Sequence, residues 1–238
     1  MTADHWRRVQ QHPELAAGEV HVWRIRLDTP VPGESPLSAD EQQRAQRLLD
    51  VQKRSHFLSG RAALRDLLGE YTGTRPRELQ FSYGPHGKPS LPGNPLWFNF
   101  SNSGEVALLA VAIDREVGID IEYRDRSISV EPLAAHILTT EEATAFRQLP
   151  ENKRHAALLA AWTRKEAYIK ALGTGFSLSL KSFSVAVPVD EEPAVLELRD
   201  SADIKSRWKF VPLDPHPEYI ATLTAPDTGW TVRRFDCG

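Results

Sequence analysis

The sequence predicts an α+β protein in which two similar α+β lobes follow one another in a single chain, with a functional site in the cleft between them. Strand-like stretches that alternate apolar and polar residues are interspersed with helix-like stretches whose apolar residues recur every three or four positions. The order of elements also repeats. Each half has a Ser/Thr-x-x-Glu sequence, at Ser38 and at Thr139, followed by two helices and then by strands that open on Phe-Ser. This similarity predicts a first lobe over residues 1–116 and a second lobe over residues 117–238.

The first lobe is expected to begin with a strand, followed by a proline-rich loop and two helices. The spacing of Ser38 and Glu41 marks the start of the first helix, because these two side chains can satisfy free backbone amides at a helix N-terminus. The second helix is expected at residues 57–71. Strands are predicted in this lobe at residues 20–27, 80–83, 96–100 and 106–113.

The second lobe is expected to open with a strand at residues 118–122. A helix capped by Thr139 should end near Leu149-Pro150, and a longer helix should run over residues 153–172 and end at Gly173, since glycine suits the left-handed position after a helix. The remainder alternates like an antiparallel sheet. Its predicted strands lie at residues 182–187, 195–198, 208–211, 219–224 and 230–235.

Composition excludes several classes of protein. The chain has 238 residues, 41% of them hydrophobic and 26% charged, and these values are typical of a soluble globular protein. A net charge of -3 argues against bulk binding to nucleic acid. The single cysteine, Cys237, cannot form an internal disulfide, and no apolar run approaches the roughly 18 residues needed to span a bilayer. We therefore expect a cytoplasmic protein without a membrane or nucleic-acid partner. We also expect it to be a monomer.

The run GIDIE at residues 118–122 is the first candidate site. Side chains two positions apart leave a strand on the same face, so Ile119 and Ile121 can enter a core while Asp120 and Glu122 point together the other way. Two adjacent carboxylates repel each other and favour a bound proton, a cationic side chain or a metal such as Mg²⁺. The alternative is an edge strand whose acidic face is simply solvated.

A second acidic element lies on the predicted long helix. Glu166 and Lys170 are one turn apart, which is also the arrangement of an ordinary exposed ion pair. If this helix packs on the GIDIE strand, however, Glu166 completes a set of three oxygen ligands, and Lys170 supplies a cation for a bound phosphate. Two turns rich in small polar groups, at residues 84–87 before Lys88 and at residues 101–104, could bind anions or could be ordinary hairpin turns.

Together these motifs resemble the Sfp-type 4'-phosphopantetheinyl transferases. The resemblance rests on four runs in the family's order: GKP at 87–89, FNFS at 98–101, GIDIE at 118–122, and WTRKEAYIK at 162–170 with the following Gly-x-Gly. It implies the fold of that family, a single-chain pseudodimer with coenzyme A in the cleft. It also implies transfer of the phosphopantetheine arm from coenzyme A to a serine of an apo acyl or peptidyl carrier protein, with release of adenosine 3',5'-bisphosphate.

The resemblance also implies roles for individual residues. Asp120, Glu122 and Glu166 would bind Mg²⁺, Glu166 would deprotonate the carrier serine directly or through a metal-bound water, and Lys170 would stabilise charge on the pyrophosphate. The residues expected to contact the coenzyme are Arg44, Tyr83, Gly87, Lys88, Pro89, Ser101, Asn102, Asp120 and Lys170.

Two positions depart from the family pattern. Asn102 stands where most relatives have histidine, so one charge-assisted contact to a phosphate would be lost. Glu41 stands where a basic contact is expected, so the 3'-phosphate site would depend on Arg44, Lys88 and Arg61. These departures keep open an alternative, a coenzyme A- or carrier-binding module without transfer activity. A third hypothesis is that the chain is a magnesium-dependent phosphohydrolase.

Overall fold

The chain contains helices and strands in both halves, which confirms the predicted α+β class. The computed structural model describes residues 6–29, 36–125, 127–187, 195–199, 205–227 and 229–237. Within these ranges no helix is long and apolar enough to cross a membrane. The helices are α1 (Ala39–Gln46), α2 (Val51–Thr72), α3 (Val130–Ile137), α4 (Thr140–Gln148) and α5 (Glu151–Leu172). The strands are β1 (Arg7–Arg8), β2 (Glu19–Arg26), β3 (Ser82–Tyr83), β4 (Pro89–Ser90), β5 (Trp97–Ser103), β6 (Val106–Ala112), β7 (Gly118–Tyr123), β8 (Val195–Arg199), β9 (Lys205–Leu213), β10 (Tyr219–Pro226) and β11 (Thr231–Asp236).

The first sheet has five strands in the order β1-β11-β2-β6-β5. Helix α2 covers one face of it and buries Leu64 and Leu68 against Trp23 and Leu109. The last strand, β11, lies in the predicted second lobe but pairs in parallel with β2. The chain therefore returns to the first sheet at its end, and the division at residue 116 stays a prediction.

The second sheet has four strands in the order β7-β10-β9-β8, and α5 packs across β7 and β10. Gly118 permits this packing, because a Cβ atom there would lie 1.9 Å from the carbonyl oxygen of Ala167. A hydrogen bond of 3.0 Å between the hydroxyls of Thr163 and Thr222 adds a polar contact between α5 and β10. The helix that carries Glu166 and Lys170 is thus fixed directly over the GIDIE strand.

The two sheets meet where edge strand β5 of the first lies beside edge strand β7 of the second. Side chains bridge this seam: Asn99 Oδ1 accepts the amide hydrogen of Ile119 at 2.8 Å, and Ser103 Oγ accepts that of Tyr123 at 3.0 Å. Buried backbone amides need such partners. The seam therefore places the polar side chains of β5 next to those of β7.

The predicted start of α4 and the predicted end of α5 agree with the structure. At α4, Glu142 accepts the backbone amide of Thr139 at 2.7 Å, and the Thr139 hydroxyl accepts that of Glu142 at 3.3 Å, which completes a capping box. Helix α5 ends at Gly173 in the left-handed conformation, with φ of 67°.

Several predicted elements were wrong in type or extent. Residues 182–187 form no strand, because their polar backbone groups bond to side chains of α4 and α5 instead of to a neighbouring strand. Residues 101–103 belong to β5, and the turn there is confined to residues 104–105. Helix α2 begins at Val51, six residues before the predicted start, because Asp50 caps it by accepting the amide of Lys53. Helix α3 was not predicted.

Candidate active site

The acidic residues of β7 are buried. Asp120 is 4% exposed and Glu122 is 8% exposed, and Glu166 of α5, also 8% exposed, completes the group. The alternative of a solvated acidic strand face is therefore wrong. Buried carboxylates require compensating partners, so the hydrogen bonds of each one indicate what the site can do.

Asp120 is paired with Lys170. The Lys170 ammonium donates to Asp120 Oδ1 at 2.6 Å and to Ser101 Oγ at 2.9 Å, and the Ser101 hydroxyl donates to the same Asp120 oxygen at 2.9 Å. Helix α5, β5 and β7 each contribute one member of this group. The structure therefore joins three residues that the sequence assigned to the site.

Glu122 is held by two neutral donors. Trp162 Nε1 donates to Glu122 Oε1 at 3.1 Å, and Ser103 Oγ donates to Oε2 at 3.2 Å. Neither donor was predicted. A signal for Ser103 was present, since serines 101 and 103 alternate along β5 as residues 120 and 122 do along β7. Trp162 entered the sequence analysis only as the first residue of the WTRKEAYIK run.

Two oxygens of the acidic group, Asp120 Oδ2 and Glu166 Oε1, have no hydrogen-bond partner among the residues that the structure describes. Burial raises the pKa of the Glu166 carboxyl to about 7, and the charge of Asp120 adds to this effect while Lys170 opposes it. Burial likewise raises the pKa of Asp120, against the influence of Lys170. Lys170 therefore offsets only part of the upward shift in the pKa values of these two carboxyls.

These unpaired oxygens fit a hard divalent cation, which prefers oxygen ligands. Among the residues described, no three carboxylate, histidine or cysteine side chains are arranged as a preassembled metal site. The donor chemistry of Asp120, Glu122 and Glu166 thus suits Mg²⁺, but their positions do not already enclose an ion.

A cavity of about 560 Å³ opens beside Glu166 and Lys170, a volume within the range of ligand-binding cavities. The turn that carries the predicted residues Gly87, Lys88 and Pro89 forms one wall. The remaining lining residues are His86, Asn99, Phe100, Ile169, Gly173, Gly175 and Ser177.

Lys88 contacts the end of α5 in this cavity. Its ammonium donates to the carbonyl oxygen of Ala171 at 2.5 Å, which is a favourable position for a cation at a helix C-terminus. Burial lowers the pKa of Lys88, and the charge of Glu116 opposes this shift. The same side chain can thus stabilise the helix end and present positive charge to the cavity.

Three other predicted coenzyme residues, Arg44, Tyr83 and Asn102, do not line this cavity. Asn102 is exposed and lines a second cavity of about 540 Å³, together with His56, Phe57 and Arg61. Arg44 is exposed, and its guanidinium lies 5.2 Å from the centre of the Phe57 ring. Tyr83 is 55% exposed and is not among the lining residues of either cavity.

Besides the predicted capping contact with Ser38, Glu41 has a structural role that the sequence did not reveal. It is 3% exposed and accepts hydrogen bonds from Arg61 Nε at 2.7 Å, Arg65 Nε at 2.6 Å and the backbone amide of Ser38 at 3.0 Å. Burial tends to raise the pKa of Glu41, but Arg65 and Arg61 outweigh it, and the net shift is downward. Glu41 therefore holds Arg61 in place, and its negative charge is compensated within the protein.

Comparison with known proteins identifies the family. Residues 116–224 match the family model described as the 4'-phosphopantetheinyl transferase superfamily. The chain is 35% identical over 224 residues to the 4'-phosphopantetheinyl transferase HetI of Nostoc sp., covering 91% of each chain. It is 26% identical over 218 residues to the 4'-phosphopantetheinyl transferase Sfp of Bacillus subtilis, covering 85% of this chain and 96% of the relative.

A solved structure, the holo-[acyl-carrier-protein] synthase AcpS of Thermotoga maritima, aligns with 48% of this chain and 63% of its own, with a TM-score of 0.38 and 23% sequence identity. The relationship to HetI extends over nearly the whole of both chains, and the family match includes the strand and the helix that carry the acidic site. On this basis the chain belongs to the 4'-phosphopantetheinyl transferase family.

Proposed function

We propose that this chain transfers the 4'-phosphopantetheine arm of coenzyme A to a serine hydroxyl of an apo acyl or peptidyl carrier protein and releases adenosine 3',5'-bisphosphate. The observation that carries the proposal is Glu166, a buried carboxylate with an unpaired oxygen beside a cavity and an anchored lysine. The named transferase activity of the relatives favours transfer over a binding module without activity.

Glu166 is suited to act as the general base. With a pKa of about 7 it is partly ionised at neutral pH, and a base with a pKa near the working pH is the most effective. It would accept the proton of the carrier serine as the serine oxygen forms a bond to the β-phosphorus of coenzyme A. The bond from that phosphorus to the bridging oxygen breaks, and the leaving bisphosphate keeps the electron pair.

Lys170 would stabilise the negative charge that develops on the pyrophosphate. Its ammonium is held by Asp120 and Ser101 at the cavity wall, so little reorganisation is needed when substrate binds. Ser101 would thus act by positioning Lys170 and Asp120.

Asp120, Glu122 and Glu166 would hold Mg²⁺, which when bound neutralises charge on the pyrophosphate. The unpaired oxygens of Asp120 and Glu166 support this assignment. Trp162 and Ser103 would keep the Glu122 carboxylate oriented for the same purpose.

We further propose that the two halves form a pseudodimer with the coenzyme between them, and that the protein works as a cytoplasmic monomer. The position of the acidic group at the seam between β5 and β7 supports a site between two lobes. The adenine side of the coenzyme would lie along Tyr83 and the 84–88 turn. Its 3'-phosphate would lie near Arg44, Lys88 and Ser101, with Asn102 weakening the binding.

The test is to incubate the purified protein with coenzyme A, Mg²⁺ and a panel of apo carrier proteins, and to measure the mass of each carrier. We expect a gain of one phosphopantetheine arm that EDTA prevents. Coenzyme binding by calorimetry without any mass gain would favour the module alternative. Phosphate release without an acceptor would favour the phosphohydrolase.

A further inference from the structure

A second lysine of the WTRKEAYIK run lies next to Glu166 but does not face the cavity. Lys165 is completely buried, and it is one of the largest fully buried side chains described. A buried ammonium is costly unless it is fully paired, so its surroundings must compensate it.

The compensation comes from three oxygens. The Lys165 ammonium donates to the carbonyl oxygens of Leu180 at 2.6 Å and Phe183 at 2.7 Å, and it lies 2.9 Å from Glu142 Oε2. The Phe183 ring centre is 4.7 Å from the ammonium. An ammonium has three N–H donors. All three have acceptors here, so Lys165 has none left for a substrate.

Glu142 extends this network to the backbone. Its Oε1 accepts the amide of Val185 at 2.6 Å, and its Oε2 accepts the amide of Thr139 at the start of α4 at 2.7 Å. The pair therefore fastens residues 180–185 to both α4 and α5. These residues belong to what we call the tail segment, residues 173–187, in which the stretch 178–187 has no helix or strand. Without ladder hydrogen bonds, its course depends on such side-chain contacts.

The other end of the tail segment forms the cavity wall. Gly173, Gly175 and Ser177 line the cavity of Glu166 and Lys170. Gly175, with φ of 53°, lies close to the opposite wall, because a Cβ atom there would be 2.9 Å from the Cβ of His86. Only Leu178 and Ser179 lie between Ser177 of the cavity wall and Leu180 of the fastened end, so a displacement of the fastened end would be transmitted to the coenzyme cavity.

We infer that the Lys165–Glu142 pair is a positioning device for the coenzyme cavity: it fixes the tail segment whose first residues form the cavity wall. This inference rests on the proposed function. Lys165 is a positioning residue and does not touch the reacting atoms, although its neighbour Glu166 does.

The test compares Lys165→Met with Lys181→Met. Both remove a lysine associated with the tail segment, but Lys181 is exposed. Coenzyme A binding is measured by calorimetry, and transfer is measured as kcat and KM for each substrate. We expect Lys165→Met to raise the Kd and KM for coenzyme A about tenfold and to change kcat and the KM for the carrier less than twofold. Lys181→Met should match the wild type.

Glu142→Gln provides a milder variant in case Lys165→Met fails to fold, because it keeps the shape and one amide acceptor. It should raise the Kd for coenzyme A in the same direction, and near-ultraviolet circular dichroism establishes that it is folded. An unchanged Kd in folded Glu142→Gln, or a fall in kcat with an unchanged KM for coenzyme A, overturns the inference. A wild-type protein that binds coenzyme A without transfer contradicts the proposed function instead, and the comparison of Kd values still decides the role of Lys165.

Discussion

Helix α5 carries two lysines paired with buried carboxylates, and their surroundings differ in one respect. Around Lys165, the ammonium has three acceptors and both Glu142 oxygens accept hydrogen bonds. Around Lys170, Asp120 and Glu166 each keep one buried oxygen that has no hydrogen-bond partner within the described part of the chain. A fully satisfied pair specifies a conformation, whereas an incompletely satisfied group lowers stability and is typical of a functional site.

Replacement of Glu166 by glutamine should have the largest effect, a loss of transfer activity. It alters the group around Lys170, whose hydrogen bonds are incomplete. We expect transfer to fall roughly 10²- to 10⁴-fold because the proton acceptor is lost. The thermal midpoint should not decrease, since a buried unpaired charge is removed. Mass spectrometry of the carrier and a thermal melt measure both. Glu151→Gln, an exposed change on the same helix, is the control. Transfer near the wild-type rate would refute the assignment of the base.

Gly118→Ala should separate α5 from β7 and so disturb both lysine pairs together. The added Cβ would lie 1.9 Å from the carbonyl oxygen of Ala167 and 2.6 Å from the amide nitrogen of Ala171, which are backbone atoms with little freedom. We expect the free energy of unfolding to fall by roughly 4 kcal/mol in urea titrations. Gly229→Ala is the control, because a Cβ atom there meets nothing within 4 Å. Equal losses in both variants would contradict the close packing.

Trp162→Phe tests whether the hydrogen bond from Trp162 orients the Glu122 carboxylate for binding Mg²⁺. The change removes the hydrogen bond to Glu122 but keeps an aromatic ring. The Mg²⁺ concentration for half-maximal transfer should rise about 10- to 100-fold, the usual effect of losing a residue that orients a metal ligand. Trp6→Phe, which removes an indole hydrogen bond to the Asp214 carbonyl, should leave it unchanged. An unchanged Mg²⁺ dependence in Trp162→Phe would argue against Glu122 as a ligand.

The smallest expected effect is a change in stability with pH, caused by the titration of the Glu166 carboxyl. A carboxyl whose pKa is raised to about 7 in the folded protein contributes stability below its unfolded pKa, and this contribution is lost as the pH rises through 7. In EDTA, the wild type should be on the order of 1 to 2 kcal/mol more stable at about pH 5.5 than at about pH 8 from this group, with solvent screening reducing the effect. Glu166→Gln should lack that difference. Identical pH profiles in the two proteins would show that the shift is absent.

The sequence predicted the elements that carry the acidic group better than the contacts that balance it. The alternation in β7 and the apolar spacing in α5 are local patterns, and both predictions were confirmed. Glu41 is bonded by Arg61 and Arg65, which lie 20 and 24 positions later in the sequence. No periodicity predicts which arginine pairs with which carboxylate over such separations. The role of Lys165 was hidden for the same reason, because its acceptors are backbone carbonyls of an irregular segment.

The parallel pairing of β11 with β2 has a consequence for biosynthesis. Strand β11, residues 231–236, lies between β1 and β2 in the first sheet. The sheet therefore cannot be completed until more than 200 further residues have been translated after β2. Until β11 is made, the edges of β1 and β2 that pair with it stay unpaired. Pairing between strands so far apart in sequence slows folding. A fragment that stops before residue 231 would expose the edge of β2. An added peptide of residues 229–237 should bind to that edge, because it contains the strand that pairs with β2.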